Sequence, residues 1–268
     1  TMLHGERQNY GTFKIMGWQK TVTTIDQVLP AIQSLLSYLA SHPETAKAIA
    51  LKLGRRFVQD VPSQQFINDI ASSYTSSGGD IKTVLKAVYQ HSDFKNAAGK
   101  KLKRPGEDYV SVARTLNVLP NFSRVQKWKG MTKEFAYPAV VPDELKRMGH
   151  APLSWPFPDG YPDIASSWVN ANYQLLRWNV YGHFIQGNTW TQPSWDSLLA
   201  SRETNLDRQI VQVAQLLLFK ELGSADRTSV RNAVTKVFGP NPDMNNAYRD
   251  VTALIVRLIF QLPVWSLR

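Results

Sequence analysis

Two aspartates in the stretch SWPFPDGYPD, residues 154–163, could act as a pair of carboxylates. Hydrolysis of a glycosidic bond uses two carboxyl groups that flank the scissile bond, about 5–10 Å apart. Asp159 and Asp163 are therefore the candidate catalytic residues of a glycan-processing site. The alternative is a stiff corner between helices, in which the prolines preset the backbone and Asp163 caps the helix that follows.

Aromatic and polar side chains are interleaved around and after these aspartates. A flat aromatic face can stack on a sugar ring, and amide or guanidinium groups between the aromatics can donate hydrogen bonds to sugar hydroxyls. The candidate binding residues are Trp155, Tyr161, Trp168, Asn172, Arg177 and Asn179. If these aromatics are buried, they are simply hydrophobic core, and the sequence leaves both interpretations open.

Positive charge is concentrated in residues 82–133. This segment contains twelve lysine or arginine residues and three acidic residues, in a chain whose net charge is +10. Clustered cations attract acidic polysaccharide, phospholipid headgroups or nucleic acid, although a solvated basic face without a partner has the same composition. The candidate anion-binding residues are Lys100, Lys101, Lys103 and Arg104.

Several kinds of chemistry have no support in the sequence. The chain has no cysteine, which excludes disulfides, thiolate nucleophiles and cysteine metal sites. The HExxH, GxSxG and phosphate-binding glycine-loop motifs are absent, and the five histidines are scattered. The sequence therefore predicts no metal site and no cofactor, and it leaves open whether the protein is an enzyme.

Hydrophobic residues at three- and four-residue steps predict helices along most of the chain. A capping-box pair, Ser41 with Glu44, indicates one helix start, and Ser63 and Asp80 indicate two more. A long helix is predicted over residues 163–186, and amphipathic helices follow to the C-terminus. The predicted fold class is therefore mainly α.

This pattern predicts a single multi-helix globular domain over residues 25–268. Residues 1–24 form an irregular N-terminal segment with room for one short strand at FKIMGW, and residues 120–162 form a long irregular connection rich in proline and aromatics. The most apolar stretch, residues 253–265, contains Arg257 and Pro263 and is too short to span a bilayer. We therefore predict no transmembrane segment.

Four motifs occur in a characteristic order: HPETAKAIALKLGRRFVQDVPSQ, SGGDIKTVLKAVYQHSDF, KLKRPGEDYVSVARTL and PLSWPFPDGYPDIASSWVNANYQLLRWNV. In that order they resemble the bacterial "domain of unknown function 1800" family, most closely its actinobacterial branch, over most of residues 40–190. The resemblance implies that this chain corresponds to the C-terminal portion of longer proteins, whose N-terminal portion would be a partner. It also implies an extracytoplasmic location, secreted or envelope-associated, and genes that are often encoded beside a sulfatase-like group, the "domain of unknown function 1501" proteins. It implies no reaction.

Three functional hypotheses follow. The first is an exported or cell-envelope protein that binds or processes an extracellular glycan. The second is a non-enzymatic helical scaffold that partners a sulfatase-like exported protein, and it predicts an exposed apolar patch without a polar-lined pocket. The third is binding of nucleic acid or another polyanion through the basic region, residues 82–133.

Overall fold

The computed structural model describes residues 10–120, 143–187 and 190–268. Helices dominate this part of the chain, and its only sheet has two strands, so the prediction of a mainly α fold is confirmed. The chain divides into two compact units, Thr1–Ala97 (unit 1) and Ala98–Arg268 (unit 2). Among the described helices, none is long and apolar enough to cross a membrane.

Unit 1 combines one β-hairpin with a series of helices. Its elements are β1 Gly11–Ile15, β2 Trp18–Val22, a 3-10 turn Ile25–Gln27, α1 Val28–Ser41, α2 Pro43–Phe57, α3 Gln64–Ser76, α4 Ile81–Gln90 and α5 Ser92–Lys95. Helices α2 and α3 pack against each other, and their buried faces meet α4 around Phe66, Ile70 and Val84.

The hairpin lies in the segment that the sequence predicts to be irregular. Strands β1 and β2 pair antiparallel, and Met16 and Gly17 form the two-residue turn with φ of 49° and 91°. Two central residues with positive φ match the twist of the strands, and glycine adopts this conformation without steric cost. The FKIMGW strand prediction therefore falls on a complete hairpin rather than on one isolated strand.

Polar side chains cap α2, α3 and α4 of unit 1. Ser63 accepts a hydrogen bond from the Phe66 amide, and Asp80 accepts one from the Thr83 amide, as predicted. The cap of α2 differs from the prediction, because His42 rather than Ser41 precedes its first turn and accepts from the Glu44 amide through Nδ1 at 3.2 Å. Ser41 ends α1, where its hydroxyl donates to carbonyls of that helix.

An apolar groove of about 280 Å³ lies between the hairpin and α1. Its lining residues are Phe13, Ile15, Trp18, Val22, Val28, Ala31, Ile32 and Leu35.

Unit 2 is helical throughout its regular parts. Its elements are α6 Pro105–Thr115, a 3-10 turn Ala165–Ser167, α7 Ala171–Gln186, α8 Trp195–Leu198, α9 Leu206–Leu218, α10 Ser224–Phe238, α11 Tyr248–Gln261 and α12 Pro263–Ser266; residues 143–147 are also helical. Helix α11 is central and packs against α7, α9 and α10, with Ile255, Ile259 and Phe260 fully buried. Helix α7 also contacts α6, which places one face of α7 in the core.

Helix α7 is shorter than the predicted helix over residues 163–186. The Asn170 side chain caps it and accepts from the Tyr173 amide at 2.9 Å, and Gly187 ends it with a φ of 68°. The prediction that Asp163 caps this helix is wrong. The Asp163 carboxylate instead lies 3.2 Å from the Lys101 ammonium, and the chain passes through the 3-10 turn before α7 begins.

Candidate functional site

The stretch at residues 154–163 forms an irregular turn that carries both predicted catalytic aspartates. Asp159 is exposed, and its Oδ1 accepts a hydrogen bond from the Trp155 indole at 2.9 Å. Asp163 is partly buried and interacts with Lys101 and, at 3.9 Å, with Arg104. The two carboxylates therefore have separate partners, and their catalytic role stays a prediction.

The predicted aromatic residues form a cluster at this turn, and their exposure to solvent differs from one ring to the next. Trp168 is buried and donates to the Pro162 carbonyl, while Tyr161 is half-buried and donates to the Ala151 carbonyl. Trp155 lies 5.0 Å from the Tyr161 ring, and the neighbouring Phe157 is 63% exposed. The inner rings thus pack the turn, and the outer rings leave an aromatic surface toward solvent.

The predicted anion-binding residues lie in different surroundings. Lys100 is exposed, whereas Lys101 is 3% exposed and its ammonium donates to the Asp163 carbonyl. Arg104 forms hydrogen bonds with Glu107 through two guanidinium nitrogens, at 3.0 and 3.2 Å. Two of these cations therefore stabilise unit 2 internally, and the anion-binding role of the set stays a prediction.

Lys103 is also largely internal. Its ammonium lies 3.5 Å from the centroid of the Trp265 ring, and its backbone amide donates to the Ser266 carbonyl at 2.8 Å. Burial lowers the pKa of Lys103 to about 8, because desolvation disfavours the charged form more than the nearby Asp108 favours it.

Arg177 belongs to a buried polar network at the centre of unit 2. Asp108 is 1% exposed, lies 3.7 Å from the Arg177 guanidinium, and accepts hydrogen bonds from Tyr181 and from the Trp265 indole. Burial raises the pKa of Asp108, and burial beside this carboxyl raises that of Tyr181. Arg177 also donates to the Lys103 carbonyl at 3.0 Å. Arg177 is thus a core residue.

The opposite face of α7 lines a polar cavity of about 360 Å³. This volume lies within the range of small-ligand sites, roughly 300–1,000 Å³. The lining residues are Glu144, Arg147, Met148, Leu176, Asn179, Val180, Gly182, His183, Gln186 and Arg257. Of the predicted binding residues, only Asn179 lies here; Asn172 is exposed in the first turn of α7.

Glu144 and His183 form a hydrogen-bonded pair in this cavity. His183 Nδ1 lies 3.2 Å from Glu144 Oε1, and the Tyr109 hydroxyl donates to Glu144 Oε2. Because an ionised carboxylate only accepts hydrogen bonds, this contact holds a proton on Nδ1. His183 Nε2 has no hydrogen-bond partner in the described part of the chain, so it can accept a proton from a ligand.

Two arginines from different segments also line the cavity. Arg147 is the last of the helical residues 143–147, and Arg257 belongs to α11. Both are exposed, and neither forms an ion pair with a described residue. Guanidinium groups bind carboxylates through paired donors, so the cavity can hold an anionic group beside the free imidazole nitrogen.

Sequence reasoning did not single out Glu144, Arg147, His183 or Arg257 as a site. Asn179 and His183 are four residues apart on α7, which is the local signal that they share a face. No local signal joins either of them to Glu144, which is 39 residues from His183. Within the described ranges, no group of three or more metal-ligating side chains is present.

Comparison with known proteins identifies a family and no function. The family model described as "Protein of unknown function (DUF1800)" matches residues 5–267, which extends beyond the four motifs at both ends. No curated protein matches the chain, and no solved structure matches it. Because the family model covers nearly the whole sequence, the chain belongs to the DUF1800 family of proteins of unknown function.

Proposed function

We propose that this protein binds an acidic extracellular glycan, with the cavity of unit 2 taking an anionic sugar residue. The observation that carries the proposal is the cavity itself, in which Arg147 and Arg257 lie beside Asn179 and His183 between apolar walls. A sugar acid presents the same combination, a carboxylate, several hydroxyls and apolar ring faces.

The aromatic turn supports the same proposal from a second place in unit 2. Phe157 is 63% exposed, Trp155 is half-buried beside it, and the exposed Asp159 carboxylate accepts a hydrogen bond from the Trp155 indole. These side chains suit a neighbouring sugar of a polymer, because aromatic faces bind rings and a carboxylate accepts from hydroxyls.

The cavity also distinguishes this proposal from the scaffold alternative. A protein that only docks a sulfatase-like exported partner, or the N-terminal portion of a longer protein, has no need for a polar-lined pocket. The apolar groove of unit 1 is the feature that fits such a docking role. An extracytoplasmic location, secreted or at the envelope, is part of the proposal and rests on the family resemblance.

Thermal-shift measurements with four polymers test the proposal. Ligands that bind the native state raise its melting temperature, so polygalacturonate should raise it, whereas neutral dextran should not. A shift with DNA as large as those with polygalacturonate and heparin would favour the polyanion alternative over the glycan proposal. No shift with any uronate polymer would contradict the proposal directly.

The aromatic turn is tested in the same assay. Phe157→Ala should reduce the shift with polygalacturonate while leaving the melting temperature without ligand unchanged, because Phe157 is mostly exposed. An unchanged shift would remove the turn from the binding surface and leave the cavity as its only described part.

A further inference from the structure

We propose that the cavity cleaves uronate-containing glycans by β-elimination, with His183 as the general base and Glu144 as its positioning residue. This inference rests on the proposed function, because it requires the acidic sugar to lie in the cavity. It adds a reaction and names the substrate class as polymers of sugars that carry a carboxylate on the ring.

The base is defined by the pair of contacts on Glu144. The Tyr109 hydroxyl occupies Oε2, and His183 Nδ1 lies 3.2 Å from Oε1, so the carboxylate is fixed from both sides. The Glu144 side chain is 11% exposed, while the His183 side chain is 43% exposed. The carboxylate thus orients the imidazole from inside the protein, and Nε2 is the nitrogen available to a substrate proton.

The proton removed is the one on the ring carbon that carries the carboxylate. Such a proton becomes acidic enough only when the negative charge that develops on the carboxylate is stabilised. Arg147 and Arg257 supply positive charge at the cavity, and the Asn179 amide supplies a neutral donor.

The step balances without any co-reactant. His183 Nε2 takes the proton, and the electron pair of that C–H bond forms a double bond to the neighbouring ring carbon. The bond from that neighbouring carbon to the glycosidic oxygen breaks, and the oxygen leaves with the electron pair and takes a proton from the imidazolium or from water. The products are a shortened chain and a new end with an unsaturated uronate.

Elimination fits the lining better than hydrolysis does. Hydrolysis by the usual route needs two carboxyl groups on opposite sides of the glycosidic bond. Among the described lining residues Glu144 is the only carboxylate, and it is engaged by Tyr109 and His183. Serine, threonine and tyrosine are absent from the same described lining, so a hydroxyl nucleophile is not provided there.

The test uses the whole chain with polygalacturonate, alginate and hyaluronan. Elimination produces a carboxylate conjugated to a double bond, which absorbs ultraviolet light, and its two product masses add up to the substrate mass without added water. His183→Gln should lower the rate by at least about 100-fold, the usual contribution of a general base, while leaving the dissociation constant within about threefold. Arg208→Gln, an exposed arginine of α9 outside the cavity, is the matched control and should leave both values unchanged.

The outcomes separate the two proposals. Binding without elimination on all three polymers would overturn the elimination step and leave the proposed binding function standing. Products that contain one added water would assign hydrolysis instead. Elimination that persists in His183→Gln would overturn the role of His183, and absence of binding to every polymer would overturn both proposals.

Discussion

His183 Nδ1 lies 3.2 Å from Glu144 Oε1, although the two residues are 39 positions apart in the chain. Helix α7 supplies the imidazole, the segment at residues 143–147 supplies the carboxylate, and Tyr109 of α6 donates to the second carboxylate oxygen. Three separate segments of unit 2 therefore meet at one hydrogen-bonded group beside a cavity.

Glu144→Gln should slow elimination without weakening substrate binding. The amide keeps the size of the side chain but cannot stabilise the imidazolium as a carboxylate does, so we expect kcat to fall by about 100-fold and KM to stay within about threefold. Steady-state kinetics on the best uronate polymer measures both. If kcat falls, KM rises and the melting temperature also falls, Glu144 has a structural role only.

Asp108→Asn should strongly destabilise unit 2. The substitution leaves the buried Arg177 guanidinium, 3.7 Å from the carboxylate in the native protein, without its counter-charge. Removing one partner of a buried ion pair costs about 3–5 kcal/mol of unfolding free energy. Urea denaturation measures this loss. The control Asp250→Asn, at an exposed residue of α11, should change stability by less than about 0.5 kcal/mol.

Lys103 should make the protein more stable as the pH rises above about 8. Its pKa is lowered from 10.5 to about 8 on folding, so between these values the unfolded chain binds more protons than the folded chain. Stability therefore increases with pH across that window and is unaffected by this group below it.

The variant Lys103→Met isolates this effect. The free energy of unfolding of the native protein relative to Lys103→Met should rise between about pH 7.5 and pH 9.5, as the window predicts. Lys236→Met changes an exposed lysine of α10, and its free energy of unfolding should depend on pH in the same way as that of the native protein. A relative stability that stays flat or falls over this range would contradict the burial of the Lys103 ammonium.

Gly182→Ala should stabilise α7. A Cβ atom at Gly182 would meet no heavy atom within 4 Å, because the residue lines the cavity, and alanine is favoured over glycine inside a helix by about 0.5–1 kcal/mol. Gly187→Ala is the contrasting control: its φ is 68° and its Cβ would lie 2.3 Å from Gln192 Cγ. In thermal denaturation we expect Gly182→Ala to raise the melting temperature and Gly187→Ala to lower it. A lower melting temperature for Gly182→Ala would contradict the open space described at that residue.

Local sequence signals predicted most of the helices because caps and periodicity are local interactions. Ser63 and Asp80 begin α3 and α4 as expected, since a side-chain oxygen satisfies an amide of the first turn wherever the helix packs. Asp163 does not cap α7, because its carboxylate forms an ion pair with Lys101, which is 62 positions away in the chain. Only one short strand was predicted at FKIMGW, because the alternation of polar and apolar residues in β1 spans just Thr12–Ile15 and β2 has three consecutive polar residues, Gln19–Thr21.

The candidate site could be predicted only in part, because local sequence signals do not show which distant segments meet in the fold. The residues of the aromatic turn are contiguous in sequence, so their composition was enough to predict them as a candidate site. The burial of Trp168 depends on packing, which composition does not show. The cavity is assembled from α7, α11 and the segment at residues 143–148, and no spacing along the chain encodes that meeting. Periodicity predicts that Arg177 and Asn179, two positions apart, lie on different faces of the helix, but it does not tell that the Arg177 face is in the core and the Asn179 face lines the cavity.

Calorimetric titration of a uronate oligosaccharide into the Arg147→Gln/Arg257→Gln double variant tests whether the cavity binds an acidic sugar. Hydrogen bonds to charged groups contribute about 1.5–3 kcal/mol each, so the loss of both guanidinium groups should weaken the affinity by at least about 100-fold relative to the native protein, with Arg208→Gln unchanged. Equal affinity in the native protein and the double variant, at unchanged melting temperature, would place the binding site elsewhere and contradict binding in the cavity.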